Sequence, residues 1–98
     1  MRKINVLFEY DYEDVDIVSV PDYIAENIES VLFDFFKWLK EPKNQQRFHV
    51  QYDGKTVLSI DTNALIWWIN RYDCAVDEPA FIVETHTRFC PDYPVADL

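Results

Sequence analysis

Residues 22–40, DYIAENIESVLFDFFKWLK, decide the fold because their length and periodicity are those of an amphipathic helix. The apolar side chains fall within one broad arc of the helical wheel: Ile24, Ile28, Val31, Leu32, Phe35, Phe36, Trp38 and Leu39. Phe33 falls outside this arc, among charged residues such as Glu29 and Lys37. We therefore predict a helix that covers a core with one face and exposes Phe33 on the other.

Both ends of this helix carry boundary signals. Pro21 ends the preceding segment, and either Asp22 or Ser19 is expected to cap the first turn. At the other end, lysines in the last turn suit the helix dipole, and Pro42 prevents the helix from continuing.

Two strands are predicted before the helix. Residues 3–10 alternate between apolar and polar side chains, and residues 15–20 are rich in β-branched side chains. The acidic run between and within them consists of Glu9, Asp11, Glu13, Asp14 and Asp16. The simplest connection is a hairpin with an acidic tip.

A second hairpin is predicted after the helix, from residues 48–52 and 55–60. A two-residue turn at Asp53-Gly54 would place Leu58 and Ile60 opposite Phe48, whereas a bulged three-residue loop would gather them on one face. We favour the bulged loop because it gives the hairpin one apolar face.

A shorter helix is predicted from a cap at Asp61 or Thr62 to about Tyr72, with Trp67 facing away from its apolar stripe. Residues 80–85 then read as a last strand. The order ββαββαβ predicts an α+β domain over residues 1–86, with a five-stranded antiparallel or mixed sheet and both helices on one face. The alternative is the ferredoxin-like order βαββαβ. Residues 87–98 are predicted to be an extended, proline-containing tail.

The chain carries 18 acidic residues against 9 lysines and arginines, which gives a net charge of −9. This balance argues against binding of nucleic acids or anionic membranes and favours a basic protein partner. Residues 4–36 contain nine carboxylates and no lysine or arginine, so the negative potential is expected to concentrate there. No apolar run suits a secretory signal or a membrane span, and we interpret the protein as cytosolic.

Two observations suggest a binding surface. In an extended strand, Glu9, Asp11 and Glu13 would lie on one side about 6.8 Å apart, a spacing suited to mimicking phosphates in a basic groove. Phe33 and Trp67 are large apolar residues that their helices place outside the buried stripe, as interface anchors often are. The predicted partner-binding residues are Glu9, Asp11, Glu13, Asp14, Asp16, Asp22, Glu26, Glu29, Phe33 and Trp67.

Enzymatic and metal chemistry have weaker support in the sequence. The acidic run lacks the glycine turn and terminal Glu of an EF-hand loop, and no CxxC or HxxxH pair is present. Cys74, His86 and Cys90 supply ligand and nucleophile types without a recognised spacing. We predict no catalytic residues, no metal and no cofactor.

The resulting hypothesis is a small non-enzymatic inhibitor that mimics nucleic-acid charge and binds a basic protein, such as a nuclease in phage or host defence. One alternative is an immunity protein that neutralises a basic toxin. Another is a small metal- or thiol-dependent enzyme using Cys74, His86 and Cys90. A homodimer would use the same surface.

Overall fold

The computed structural model describes residues 1–73 and 77–98, which form six strands and four α-helices. The strands are β1 (Arg2–Leu7), β2 (Val15–Val20), β3 (His49–Tyr52), β4 (Lys55–Leu58), β5 (Phe81–Thr87) and β6 (Val95–Asp97). The helices are α1 (Asp22–Glu26), α2 (Ile28–Leu39), α3 (Pro42–Gln45) and α4 (Thr62–Tyr72), and a 3-10 turn spans Gln46–Phe48. The predicted α+β class is confirmed. Among the described residues, no helix has the length and apolar character needed to cross a bilayer.

The strands form two sheets instead of the single five-stranded sheet that was predicted. The main sheet has the order β5-β2-β1-β6 and is mixed, because β6 runs parallel to β1 whereas the other pairs are antiparallel. The β3–β4 hairpin forms a separate two-stranded sheet. Since β2 pairs with β1 along its length, the ferredoxin-like alternative without this strand is excluded.

The helices cover one face of the main sheet. Ile4 and Val6 of β1 and Val18 and Val20 of β2 belong to the same buried cluster as residues of α2 and α4, with Phe35 completely buried. Both long helices therefore lie on one side, as the periodicity of their apolar residues predicts.

The C-terminal segment covers the opposite face. Leu7, Val15 and Ile17 form a second buried cluster, against which Phe89, Tyr93 and Val95 pack. Asn5 is completely buried on this side. Its side chain donates to the carbonyls of Cys90 (2.8 Å) and Tyr93 (3.1 Å) and accepts from the Cys90 amide (3.0 Å). The segment after residue 86 is thus tied into the fold and ends as strand β6.

The helix predicted as continuous over residues 22–40 is interrupted at Asn27. The Asn27 side chain donates to the carbonyl of Tyr23 at 2.8 Å, the group its own backbone N–H would bind in an unbroken α-helix. That N–H bonds to the Ile24 carbonyl instead, at 3.2 Å. The predicted caps are also wrong, because Pro21 occupies the N-cap position and no side chain caps α1.

The β3–β4 hairpin has a two-residue turn, so the predicted bulged loop is wrong. Val50 pairs with Val57 and Tyr52 with Lys55. Asp53 (φ 50°) and Gly54 (φ 74°) are both left-handed, which defines a type I′ turn. The bulge was expected to collect apolar residues on one buried face, but every residue of both strands is exposed.

Strand β5 forms an irregular edge of the main sheet. Its pairing with β2 shifts register between Val15 and Ile17 and again between Ile17 and Val18. His86, in the first irregular stretch, has a left-handed φ of 52°. Such bulges twist an edge strand and hinder pairing with other chains.

Candidate partner-binding surface

The acidic run forms a compact loop, and the predicted extended array of carboxylates is wrong. Strand β1 ends at Leu7, and Glu9 and Tyr10 have φ values of 52° and 59°, in the left-handed region. Two successive left-handed residues turn the chain sharply, so Glu9, Asp11 and Glu13 do not alternate along one side of a strand. We call residues 8–14 the acidic loop.

Three neighbours outside the loop hold it in place. The Tyr10 amide donates to the Asp97 carboxylate at 3.1 Å, and the Tyr12 ring meets the Phe89 ring edge-on with centroids 4.9 Å apart. His86 of β5 contacts Asp14, with Nδ1 at 2.9 Å from Oδ1.

Two hydrogen bonds within the loop add to these contacts. The Asp11 amide donates to the Phe8 carbonyl at 3.0 Å, and the Glu13 amide donates to the Asp11 carboxylate at 3.1 Å. The loop is therefore preorganised by contacts with the C-terminal segment, with β5 and within itself.

Asp16 differs from the loop acids because it points into the structure. It is half-buried, accepts from the Thr62 hydroxyl of α4 at 2.5 Å, and accepts from the His86 amide at 3.2 Å. Its oxygens join β2 to α4 and β5, so Asp16 has a structural role, and its predicted role in partner binding stays a prediction.

The Asp14 carboxylate raises the pKa of His86, first through their hydrogen bond and then through its charge, and Asp16 adds a smaller charge effect in the same direction. His86 is exposed. Within the described residues, it is the one titratable cation paired with the acidic loop.

The acids of the first helices lie beside cations. The N-terminal amino group of Met1 is 3.2 Å from Asp22, and the Arg2 guanidinium is 3.6 Å from Glu26. Glu29 is exposed one turn further along. Asp22 and Glu26 are therefore partly neutralised, although the linear sequence shows no cation between residues 4 and 36, whereas no cation within the described residues is paired with Glu29.

The sheet separates the two acidic groups. Arg2 pairs with Val20 at one end of the β1–β2 hairpin, and Val6 pairs with Asp16 at the other. These two pairs are about 13 Å apart along the strand. Asp22 lies just after Val20, at the first of these ends, and the acidic loop connects the strands at the second. The ten predicted residues therefore do not form one continuous surface.

Phe33 and Trp67 occupy different environments. Phe33 is 69% exposed, as the helical wheel predicts. Phe36 lies one turn later and is also exposed, although it was predicted to lie in the buried arc. Trp67 is half-buried: its ring packs against Trp38 and Phe48, and the Arg47 guanidinium lies 4.1 Å from its centroid. Trp67 is therefore less exposed than its position on the helical wheel suggests, because residues after α2 cover part of the outer side of α4, and its role as an interface anchor stays a prediction.

The proposed cysteine and histidine set is not assembled among the described residues. His86 contacts Asp14, and the Cys90 amide bonds to Asn5, while Cys74 lies outside the described residues. In residues 1–73 and 77–98, no group of three or more His, Cys, Asp or Glu side chains is arranged to hold a metal ion.

Sequence reasoning missed the tyrosines of the acidic loop. Tyr10 is 72% exposed, and Tyr12 is 46% exposed despite its contact with Phe89. The signal was present as the alternation of tyrosine with acids in EYDYED, residues 9–14. Tyrosines presented among charges are typical of protein interfaces.

No family model, characterised protein or solved structure matches this chain.

Proposed function

We propose that this chain is a small non-enzymatic antagonist that binds a basic groove of a partner protein in the cytosol. Its target class would be nucleic-acid-binding proteins such as nucleases, in phage or host defence. The observation that carries the proposal is a preorganised acidic loop with an exposed Tyr10 and with no lysine or arginine paired to it among the described residues.

The carboxylates supply the electrostatic part of the proposed interaction. Glu9, Asp11 and Glu13 are exposed in one short loop, and arginine and lysine side chains that grip phosphates also grip carboxylates. Such charge complementarity speeds association and discriminates against acidic partners.

Tyr10 and the rigidity of the loop supply the rest. A tyrosine that enters a pocket of the partner buries a large amphipathic ring at low entropic cost and slows dissociation. Because Asp97, Phe89 and His86 already hold the loop, binding would not have to order it.

The experiment is a pull-down from the native host with wild-type protein and two triple variants. The loop variant carries Glu9→Gln, Asp11→Asn and Glu13→Gln. The matched control carries Asp22→Asn, Glu26→Gln and Glu29→Gln, which changes the net charge equally at the other end of the sheet. Asn at position 11 retains an oxygen that accepts from the Glu13 amide.

We expect a partner with an excess of lysine and arginine to be captured by wild type and control and lost by the loop variant. Capture should also fall at about 1 M salt, where the Debye length is about 3 Å. Excess duplex DNA should displace the partner if the loop occupies a phosphate-binding groove. Equal capture by both variants would contradict the proposal.

A further inference from the structure

An open cleft of about 720 Å³ lies where α2, α3 and α4 meet. Its lining includes three cations and three aromatic rings: Lys43, Arg47, Arg71, Trp38, Trp67 and Tyr72. Among the described residues, no aspartate or glutamate lines it, although the chain has a net charge of −9. We call this feature the cationic cleft.

The cations of the cleft have no ion-pair partner among the described residues. No carboxylate of residues 1–73 and 77–98 lies within 4.0 Å of Lys43, Arg47 or Arg71. The Arg47 guanidinium instead lies over the Trp67 ring, with Cζ 4.1 Å from the ring centroid. This cation–π contact stabilises the guanidinium without an ion pair, and the planar set of N–H donors of an arginine suits a phosphate.

The rings of the cleft form a continuous aromatic wall. Trp38 is 5.8 Å from both Trp67 and Tyr72, measured between ring centroids, and Trp67 is 6.3 Å from Tyr72. Arg47 covers Trp67, whereas Tyr72 is 52% exposed. The exposed part of Tyr72 is therefore available to contact a planar ligand, while its ring also packs against Trp38, Trp67 and Trp68.

We propose that the cationic cleft binds a nucleoside diphosphate, with the base against Tyr72 and the phosphates at Lys43, Arg47 and Arg71. The cleft volume falls within the range of about 300–1,000 Å³ that is usual for small-molecule sites. An inorganic anion would leave the ring face unused. A nucleic-acid strand would have to extend across a protein whose net charge repels it.

This site is independent of the acidic loop, since none of the residues 8–14 lines the cleft. It gives the protein a second class of ligand beyond a basic protein partner. Binding at the cleft can therefore be present or absent whether or not the acidic loop binds a basic partner.

The test is calorimetric titration of the intact protein with ADP, GDP, CDP and UDP. The comparison ligands are adenosine, pyrophosphate, a single-stranded oligonucleotide and a peptide of residues 8–14. We expect one-site binding of at least one diphosphate, with a Kd below about 1 mM. Arg47→Gln and Lys43→Gln should each weaken that binding about tenfold, since each removes a charge-assisted contact. Lys55→Gln, which removes a cation from the start of β4, should leave the affinity unchanged.

Thermal unfolding of each variant checks that it is folded, and Lys43 is exposed on α3, so its replacement leaves the core untouched. Absence of binding by all four diphosphates would overturn the proposal, as would equal affinity of wild type and both cleft variants. Pyrophosphate has no base, so if it bound as tightly as the diphosphates, contact of a base with Tyr72 would contribute nothing to binding and this part of the proposal would be wrong. Tighter binding of the oligonucleotide or the peptide would assign the cleft to a macromolecule instead.

Discussion

The acidic loop and the acids of α1 and α2 look alike in sequence and differ in structure. Both are runs of carboxylates within a stretch that lacks lysine and arginine. Asp22 and Glu26 nevertheless lie beside the Met1 amino group and Arg2, because β1 returns the N-terminus to the start of α1. The loop at the other end of the hairpin has only His86 as a paired cation within the described residues. Local charge density therefore depends on strand pairing as well as on the order of charges along the chain.

The largest loss of stability is expected when the side-chain hydrogen bonds between β1 and the C-terminal segment, which holds the acidic loop, are removed. Asn5→Ala removes three hydrogen bonds to Cys90 and Tyr93. The Cys90 amide and the Tyr93 carbonyl lose this partner, whereas the Cys90 carbonyl still accepts from the Tyr93 amide at 3.2 Å. We expect a loss of about 3 kcal/mol in the free energy of unfolding, measured by urea denaturation.

Asn44→Ala is the matched control for Asn5→Ala, because the Asn44 side chain makes a single bond to the Trp38 carbonyl. It should cost about 1 kcal/mol. If the two variants are equally stable, Asn5 does not tie the C-terminal segment to the sheet as described.

A smaller effect is expected at the aromatic contact of the acidic loop. Tyr12→Leu removes the edge-on contact with Phe89 and should lower the free energy of unfolding by about 1 kcal/mol. Tyr10→Leu changes the more exposed ring and should leave stability nearly unchanged while weakening partner binding. If thermal or chemical denaturation showed a larger loss of stability for Tyr10→Leu than for Tyr12→Leu, Tyr10 would be a residue that supports the fold.

The ion pair at the other end of the hairpin should contribute less. Arg2→Gln removes a contact of 3.6 Å between two exposed side chains, and such pairs are worth about 0–1 kcal/mol. We expect a change below about 0.5 kcal/mol in urea denaturation, and a smaller change in high salt, which screens exposed charges. A loss above about 2 kcal/mol would mean that this pair has a structural role beyond neutralising Glu26.

The smallest effect concerns the pH dependence of the acidic loop. Asp14 raises the pKa of His86 in the folded protein, so the stability from their contact is fully present below the ordinary histidine pKa of about 6.5. It is lost as pH rises through the higher folded value. NMR titration should show the His86 pKa falling in Asp14→Asn relative to its value in the wild-type protein. An unchanged His86 pKa would contradict this pairing.

The regular elements could be predicted because their signals are local. The apolar period of residues 28–39, Pro42 and the Asp61 cap place α2 and α4 correctly, and Asp61 does accept from the Ala64 amide at 2.9 Å. The break at Asn27 could not be inferred, because the periodicity continues through it and one side-chain hydrogen bond decides it. The predicted bulged turn is wrong because it requires a buried hairpin face, and only tertiary packing determines whether such a face is buried.

The candidate site was predicted only in part. The acids at residues 9–14 are exposed as expected, but their spacing depends on the left-handed backbone at Glu9 and Tyr10, which sequence alternation cannot reveal. The cover over Trp67 comes from Arg47 and Phe48, which reach it only after the chain has turned back through α3. Contacts between distant segments therefore explain these differences.

The most direct test of the account is the affinity of the purified partner for the two triple variants described above. We predict that neutralising Glu9, Asp11 and Glu13 raises Kd at least tenfold, about 1.4 kcal/mol, mainly by slowing association. The matched change at Asp22, Glu26 and Glu29 should alter Kd less than about threefold. An equal loss of affinity in the two variants, or a larger loss in the helix variant, would contradict the claim that the acidic loop is the binding site.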